Sequence, residues 1–362
     1  MDLSLSDEQR LLVETVERFV ADRYSGTDHS DLTKDAPFRR EDWVSLAELG
    51  LMGLLRDEDM GGFGGGPIEL ALVAESLGRG PVPLPYWSSV VLAGALVDGQ
   101  GMGAAMLEGE LLVAPALLEP GARYDLGSVS TTVEEQRISG AKTVVPLAEE
   151  ADCFVVSALE AGELGLYLVG RNAEGVSVRS YQTQDGVRTG EVVLEKALIE
   201  SRIASGEEAL HRIETGADLA RIALASEAVG CMAALSGLTE EYLSTRKQFG
   251  RPLAGFQVLQ HRMVEMRMAV EETRSIVLVA AREAAGSGRT EQARAVSAAK
   301  TKAGRNGRHV AEEAVQMHGG MGMTMEYPAG RYMRRLMMIE TTLGDADYHA
   351  GRFSRLMAVP AA

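Results

Sequence analysis

The residues best suited to chemistry in this chain are cations around a predicted helix break near the C-terminal end. Arg246, Lys247 and Arg251 lie close together there, with Phe249 and Gly250 among them. Such a cluster attracts an anion at short range, even on a chain whose net charge is negative.

A glycine-rich segment follows further along the chain, at 316–324. Gly319, Gly320 and Gly322 lack the Cβ atoms that would keep a ligand away from the backbone. The two segments together predict a clamp for a large anionic cofactor.

The composition of the whole chain is that of an acidic globular protein. Its 362 residues are 46% hydrophobic and 24% charged, with a formal net charge of −16. This balance argues against nucleic acid as the main partner, because phosphate neutralisation requires a basic surface. Cys153 and Cys231 show neither a CxxC pair nor a metal-ligand spacing, so we expect no disulfide and no metal site.

We expect a cytoplasmic protein without a membrane partner. The first residues, Met1 to Ser4, lack the basic and apolar regions of a signal peptide. The longest apolar stretch, 88–97, is too short to span a bilayer.

The pattern of apolar residues predicts an α+β multidomain fold. We expect an N-terminal helical domain at 1–109, a middle antiparallel β-domain at 110–205 and a C-terminal helical bundle at 206–362. In the last domain, apolar residues recur at helical spacing from Leu219 to Tyr242.

Local signals refine this outline. Ser6, with Gln9 three positions later, predicts an N-cap and capping box for the first helix. Pro67 suits the first turn of a later helix, and the glycine cluster 61–66 before it predicts a flexible connection. Six runs predict strands, at 111–118, 128–133, 153–159, 165–169, 176–179 and 191–194.

The order of the domains and the two segments resemble the acyl-CoA dehydrogenase family over nearly the whole chain. Its members have an N-terminal helical domain, a middle β-domain and a C-terminal four-helix bundle. They bind FAD and oxidise the Cα–Cβ bond of an acyl-CoA thioester. The family's Arg-x-x-Phe-Gly motif matches Arg246, Phe249 and Gly250, with Gln257 downstream. Its Gln-x-x-Gly-Gly-x-Gly motif matches the run that begins at Gln316.

The resemblance implies a set of FAD-binding residues. The arginine would pair with the pyrophosphate through two parallel hydrogen bonds, and the phenylalanine would offer the cofactor an apolar face. The two glutamines would bond the adenosine part, and the two glycines would let backbone amides approach. These residues are Arg246, Phe249, Gln257, Gln316, Gly319 and Gly320.

The family's catalytic base is missing from its usual places. The reaction needs a base for the α-proton, usually a glutamate near the C-terminus, and counting without gaps puts Leu343 there. A three-residue gap would put Glu340 there instead, so Glu340 is the candidate catalytic residue. Some members carry the base before an arginine in the first long bundle helix, where this chain has Ala220 before Arg221.

Other stretches on the flavin-ring side also depart from the family. The Thr-Glu-Pro-x-x-Gly-Ser-Asp stretch is only partly kept at 118–125. The Trp-Ile-Thr stretch corresponds to 143–147, where its Trp and Thr are absent. Asp345 or Asp347 as a shorter carboxylate base, similar to the choice in nitroalkane oxidases, stays open as an alternative.

This pattern resembles the base-lacking subunit of the α2β2 acyl-CoA dehydrogenases that actinobacteria use on steroid side chains. Each FAD of the family lies across a subunit interface, so the resemblance implies a homo- or hetero-oligomer, a dimer or tetramer, in which this chain lends half a cofactor site to a catalytic partner. It also implies an electron-transfer flavoprotein as acceptor. Two alternatives stay open: a self-sufficient homo-oligomeric dehydrogenase using Glu340, and a flavin-free scaffold.

Overall fold

The computed structural model describes residues 5–24, 38–80, 82–99, 102–286, 288–324 and 327–358. The chain divides into two compact units. The first unit contains Met1–Asp35, Gly66–Val82 and Arg221–Ala362, and the second contains Ala36–Gly65 and Pro83–Ala220. The domain boundaries expected after residues 109 and 205 stay a prediction.

Helices dominate both ends of the sequence. The α-helices of the described ranges are α1 (Asp7–Tyr24), α2 (Arg40–Glu48), α3 (Pro67–Gly78), α4 (Ala93–Leu96), α5 (Gly103–Leu107), α6 (Gly206–Thr245), α7 (Gln257–Gly286), α8 (Arg289–His318), α9 (Pro328–Thr341) and α10 (Ala346–Met357). A π-helical segment, Tyr86–Leu92, leads into α4. These helices confirm the expected helical regions before and after the β-domain.

One sheet forms the middle of the sequence and belongs to the second unit. Its strands are β1 (Val113–Ala116), β2 (Thr132–Glu134), β3 (Arg137–Pro146), β4 (Cys153–Glu160), β5 (Glu163–Gly170), β6 (Val176–Gln182), β7 (Arg188–Leu198) and β8 (Ser201–Ser205). They pair in the order β6-β7-β3-β2-β4-β5-β8, with β1 beside β4. Only the pairs β1–β4 and β2–β4 are parallel within the described sheet, so the expected antiparallel character is largely confirmed.

Two strands, β3 and β8, are absent from the six that the sequence predicts. The register of β3 against β7 shifts twice, between Ile138 and Gly140 and between Lys142 and Val145. Each shift is a bulge or irregularity that interrupts the alternation of apolar and polar side chains. The period-two signal of a strand is therefore lost in the sequence, although the backbone pairs.

Two local predictions are confirmed, and one is wrong. The Gln9 amide donates to Ser6 Oγ at 3.1 Å, and the Ser6 amide donates to Gln9 Oε1 at 3.0 Å. Pro67 is the first residue of α3. The glycine cluster is not a flexible connection, because the amides of Gly64 and Phe63 donate to the carbonyls of residues 56 and 53 at 2.8 and 2.9 Å.

The longest apolar stretch lies in α6 and not at 88–97, so that sequence prediction was wrong. An 18-residue window of α6 has a mean hydropathy of 1.5, and 72% of it is buried inside the structure. Small residues such as Ala and Gly give this helix its apolar character without a run of large side chains. The helix passes a membrane-span test by length and composition, and its burial is that of a core helix.

Close helix packing in the first unit fixes where the ends of α6 and α8 lie. A Cβ at Gly230 of α6 would stand 2.0 Å from the carbonyl oxygen of Glu75 in α3. The guanidinium of Arg274 in α7 holds the Glu75 carboxylate at 3.0 to 3.2 Å. Gly307 of α8 leaves similar room for Leu336 of α9.

Candidate functional site

A short hairpin after α6 carries the first predicted motif. Lys247–Gln248 (β9) pairs antiparallel with Arg251–Pro252 (β10). The two residues of the turn, Phe249 and Gly250, have φ values of 53° and 79°, as a type I′ hairpin turn requires. The non-glycine residue at positive φ is uncommon, and this turn places the Phe249 side chain 88% exposed to solvent.

The cations of the hairpin face solvent. Arg246 and Lys247 are exposed, and within the described part of the chain neither side chain makes an ion pair. Arg251 stacks its guanidinium 4.0 Å from the ring centroid of Phe256, and Phe249 meets the same ring edge-on at 6.1 Å. Gln257 is exposed as the first residue of α7. The hairpin thus presents two uncommitted cations and an aromatic face.

The second predicted motif forms the end of α8. Gln316 is exposed in the last turn, and α8 ends where Gly319 adopts a φ of 59°. A Cβ built on Gly319 or Gly320 meets no other atom within 4 Å. This backbone is open to a ligand, as the sequence analysis predicts for glycines at these positions.

A cluster of three aromatic rings, which the sequence analysis missed, connects the end of α6 with the second motif. The rings of Tyr242 and His318 are 4.6 Å apart, and those of His318 and Tyr327 are 4.9 Å apart. His318 Nδ1 lies 2.8 Å from the Ala314 carbonyl oxygen and Nε2 lies 3.0 Å from the Tyr327 hydroxyl. Nδ1 is therefore the donor of a neutral ring, Tyr327 donates to Nε2, and burial lowers the pKa of His318.

The aromatic cluster brings the two motifs together. Tyr242 lies in the last turn of α6, and its carbonyl accepts the amide of Arg246 at 2.8 Å. His318 directly precedes Gly319. The stacking of Tyr242 on His318 therefore joins the helix end that carries the cations to the glycine turn. The contact is between residues distant in sequence, and no local pattern signals it.

The segment at the expected base position is held by buried cations. Leu343 is buried with a φ of 56°, and its carbonyl oxygen accepts Arg221 Nε at 3.0 Å. His349 Nε2 also lies 3.1 Å from this oxygen. Lys300 Nζ donates to the carbonyl oxygens of Ile339 and Thr342 at 2.6 and 2.9 Å.

Burial shifts the titration of two of these groups. It lowers the pKa of Lys300 to about 7 and, with the nearby Arg221 charge, lowers that of His349 to about 2. An imidazole with so low a pKa is neutral at physiological pH. Arg221, Lys300 and His349 thus bond the carbonyls of residues 339–343 in the chain itself.

The carboxylates considered as alternative bases take different places. Glu340 is half-buried in the last turn of α9, and its Cγ lies 3.0 Å from a Cβ built on Gly304 of α8. Asp345 is the N-cap of α10, where it accepts the Tyr348 amide at 2.7 Å. Asp347 is exposed, 3.7 Å from Arg305. Asp345 therefore has a structural partner, and the assignment of Glu340 as the catalytic residue stays a prediction.

A buried ion pair fixes the partly kept stretch of the β-domain. Glu119 accepts Lys142 Nζ at 2.7 Å and the hydroxyl and amide of Thr131 at 2.7 and 3.0 Å. Burial alone would raise the pKa of Glu119, but the bonds from Lys142, Ser130 and Thr131 lower it to about 2. Val144, in the stretch 143–147 that corresponds to the family's Trp-Ile-Thr, is half-exposed at a φ of 53°. A β-branched residue at positive φ is a strained position.

Comparison with known proteins matches this chain to three domains of one family. The N-terminal, middle and C-terminal domains of acyl-CoA dehydrogenase match residues 6–101, 114–197 and 210–357. Benzylmalonyl-CoA dehydrogenase of Aromatoleum aromaticum is 30% identical, over 92% of this chain and 93% of that protein.

Solved structures extend the comparison. The Tcur3481-Tcur3483 steroid ACAD G363A variant superposes with a TM-score of 0.84 at 28% identity, over 98% of this chain and 99% of that one. The ChsE4-ChsE5 complex from Mycobacterium tuberculosis gives a TM-score of 0.87 at 26% identity, over the full length of both chains. This chain belongs to the acyl-CoA dehydrogenase family, whose members are FAD-dependent oxidoreductases acting on CH–CH bonds.

The residues present fit the cofactor of this family. Two exposed cations suit the diphosphate of FAD, and the open turn at Gly319 and Gly320 leaves room that a Cβ would fill. Among the described residues, no group of three or more His, Cys, Asp or Glu side chains could hold a metal ion.

Proposed function

We propose that this chain is a cytoplasmic component of an FAD-dependent acyl-CoA dehydrogenase and supplies the phosphate and adenosine half of a cofactor site to a catalytic partner chain. The observation that supports it best is the stacking of Tyr242 on His318. This contact joins the cationic hairpin to the glycine turn, and both face solvent. Neither motif alone could grip both parts of a dinucleotide.

Each residue of the site has a task in this proposal. Arg246 pairs with the pyrophosphate, and Phe249 covers it with an apolar face. The open turn at Gly319 and Gly320 lets the cofactor approach the backbone, while the side chains of Gln257 and Gln316 bond the adenosine. FAD, when bound, accepts the hydride that leaves the acyl group.

The exposed surface beside the hairpin supports a partner chain. Phe249 is 88% exposed and Val258, in the first turn of α7, is 66% exposed. Large apolar side chains grouped in this way are typical of surfaces that another molecule covers. Two of the similar solved structures carry the names of chain pairs, ChsE4-ChsE5 and Tcur3481-Tcur3483. We therefore propose a hetero-oligomer with FAD at the interface and an electron-transfer flavoprotein as acceptor.

The base-side geometry supports assignment of the base to the partner. Leu343 cannot take a proton, and its carbonyl is bonded to Arg221. A carboxylate at this position would stand beside Arg221, whereas the actual side chain is apolar and buried. In this proposal the acyl-CoA thioester is deprotonated by a residue of the catalytic partner.

The decisive experiment measures flavin bound by the chain and by a charge variant. Wild type, Arg246→Met and Arg18→Met are each co-expressed with a second acyl-CoA dehydrogenase chain of the same organism, chosen by pull-down with the wild type, and FAD per complex is measured by absorbance. Arg18 is an exposed arginine of the same unit, so its replacement is the matched control. We expect FAD occupancy to fall at least about tenfold in Arg246→Met, since a charge-assisted bond is lost, and to be unchanged in the control.

The outcomes separate the three readings of the sequence. Full flavin occupancy in Arg246→Met rejects the assignment of the pyrophosphate contact. A wild-type complex without flavin identifies a scaffold. Turnover of acyl-CoA by this chain purified alone identifies a self-sufficient enzyme and rejects the partner role.

A further inference from the structure

A cavity of about 460 Å³ is lined wholly by residues of the second unit. Its volume falls in the range of small-molecule sites. The buried apolar part of its wall is formed by Trp43, Met52, Tyr86, Val91 and Met106.

Three polar atoms in this wall are buried without a hydrogen-bond partner in the described chain. They are Trp43 Nε1, Arg56 Nη2 and Ser89 Oγ. A buried donor without a partner costs about 1–3 kcal/mol, and more for a charged group. Three such atoms on residues that line one cavity favour a ligand that carries hydrogen-bond acceptors.

The other polar groups of the wall already have partners or face solvent. The Tyr86 hydroxyl donates to the Leu51 carbonyl at 3.2 Å. Arg212 donates to the Asp98 carbonyl oxygen at 2.7 Å and to the Glu208 carboxylate at 2.8 Å. The acidic residues that line the cavity are exposed: Asp57, Asp98 and Glu208.

Two glycines pack closely against Arg56, one at its backbone and one at its guanidinium. A Cβ at Gly62 would stand 2.1 Å from the Arg56 carbonyl oxygen, and a Cβ at Gly103 would stand 2.5 Å from its Nη1. The amide of Gly64 also donates to the Arg56 carbonyl at 2.8 Å. The glycine loop of the sequence analysis therefore has a specific role, since it seats this arginine.

We infer that the cavity binds the carboxylate of a largely apolar organic acid. The indole and guanidinium groups can only donate, and the serine hydroxyl can donate. A carboxylate offers two acceptor oxygens and a negative charge to pair with Arg56, whose Nη2 has no hydrogen-bond partner in the described chain. The apolar wall fits a hydrocarbon ring or chain behind that carboxylate.

Such a carboxylate could come from two sources. One is a free acid. The other is the remote end of an acyl-CoA that carries a second carboxyl group, and this second source rests on the proposed function.

The test uses Trp43 as the reporter. The chain has two tryptophans, so Trp87→Phe leaves Trp43 alone to report binding by fluorescence, with calorimetry as a second measurement. The probes are cyclohexanebutyrate, its neutral amide, adipoyl-CoA and hexanoyl-CoA. Arg56→Met and Ser89→Ala remove single donors, and Arg179→Met, at an exposed arginine of the same unit, is the matched control.

We expect the acid to bind at least about tenfold more tightly than the amide, and Arg56→Met to lose that difference. Ser89→Ala should weaken binding of the acid by several-fold. This smaller change tests the site even if Arg56→Met fails to fold. Tighter binding of adipoyl-CoA than of hexanoyl-CoA identifies the ligand as an acyl-CoA with a second carboxyl group. Binding of cyclohexanebutyrate but of neither CoA ester identifies it as a free acid.

Equal binding of acid and amide, or no binding of either, overturns the inference. FAD content is measured on the same samples. A complex that keeps FAD but binds no acid rejects this site alone, whereas a complex without FAD rejects the proposed function alone.

Discussion

Two regions of the first unit, the hairpin after α6 and the segment 339–343, differ in the exposure and bonding of their basic side chains. At the hairpin, Arg246 and Lys247 are exposed and carry no ion pair among the described residues. Around the segment, Arg221 and Lys300 are buried and bond backbone carbonyls of the same chain. Exposed cations are available to a ligand, whereas the buried ones are committed to the fold. The difference shows that resemblance in residue type does not establish the same task.

The largest contrast is expected between Arg221→Met and Arg246→Met. Removing the buried guanidinium should lower the free energy of unfolding by about 2–4 kcal/mol, because the Leu343 carbonyl loses a charged donor. Removing the exposed one should change it by less than about 0.5 kcal/mol. Urea denaturation of the FAD-free chains measures both values. Equal effects would contradict the contrast between the two regions.

The second prediction concerns the pH dependence of stability. The pKa of Lys300 is about 7 in the fold and about 10.4 in an unfolded chain. Between these values the unfolded chain binds more protons, so the free energy of unfolding should rise with pH, by up to about 1.4 kcal/mol per unit.

The control for this prediction is Lys300→Met in the same urea series. Lys142, whose burial lowers its pKa to about 8, contributes a rise of the same sign and is present in both chains. The difference between them therefore reports Lys300. A variant with the wild-type slope would show that Lys300 is not the cause.

The third prediction separates backbone strain from cofactor approach. Gly319 has a φ of 59° and Gly320 does not have positive φ, so Gly319→Ala should cost about 1 kcal/mol of stability and Gly320→Ala close to none. Both alanines place a methyl group where the backbone is open. We expect both to reduce FAD content, and stability with flavin absorbance measures the two effects. Full FAD content in both variants would show that the cofactor does not approach this turn.

The smallest effect is expected for Glu340→Gln. Its side chain packs over Gly304, so turnover of the active assembly should stay within a few-fold of wild type. Steady-state kinetics on an acyl-CoA measures it. A loss of about a thousand-fold, as removal of a general base produces, would make Glu340 the catalytic residue.

Much of the fold is encoded locally and could be predicted. The cap formed by Ser6 and Gln9 depends on neighbours along the chain, and so does the helix start at Pro67. Strand β3 could not be found in this way, because the shifts around Lys142 remove its alternation. Its stability depends on a pair with Glu119, which lies far away in sequence.

The candidate site divides in the same way. Glycines and cations are visible as residue types, so the sequence predicts a clamp at the hairpin and the turn, and its role stays a prediction. The stacking of Tyr242 on His318 could not be predicted from the sequence, because it depends on how α6 packs beside α8. The donors Trp43, Arg56 and Ser89 meet at one cavity only after folding, and no spacing in the sequence connects them.

The aromatic cluster has an evolutionary consequence. None of its three rings, Tyr242, His318 and Tyr327, belongs to the 339–349 segment that surrounds the base position. A duplicated gene could therefore lose its catalytic carboxylate by drift and still encode an intact cofactor grip. Selection would then preserve the copy for what it gives to its sister chain, and the two genes would become mutually dependent.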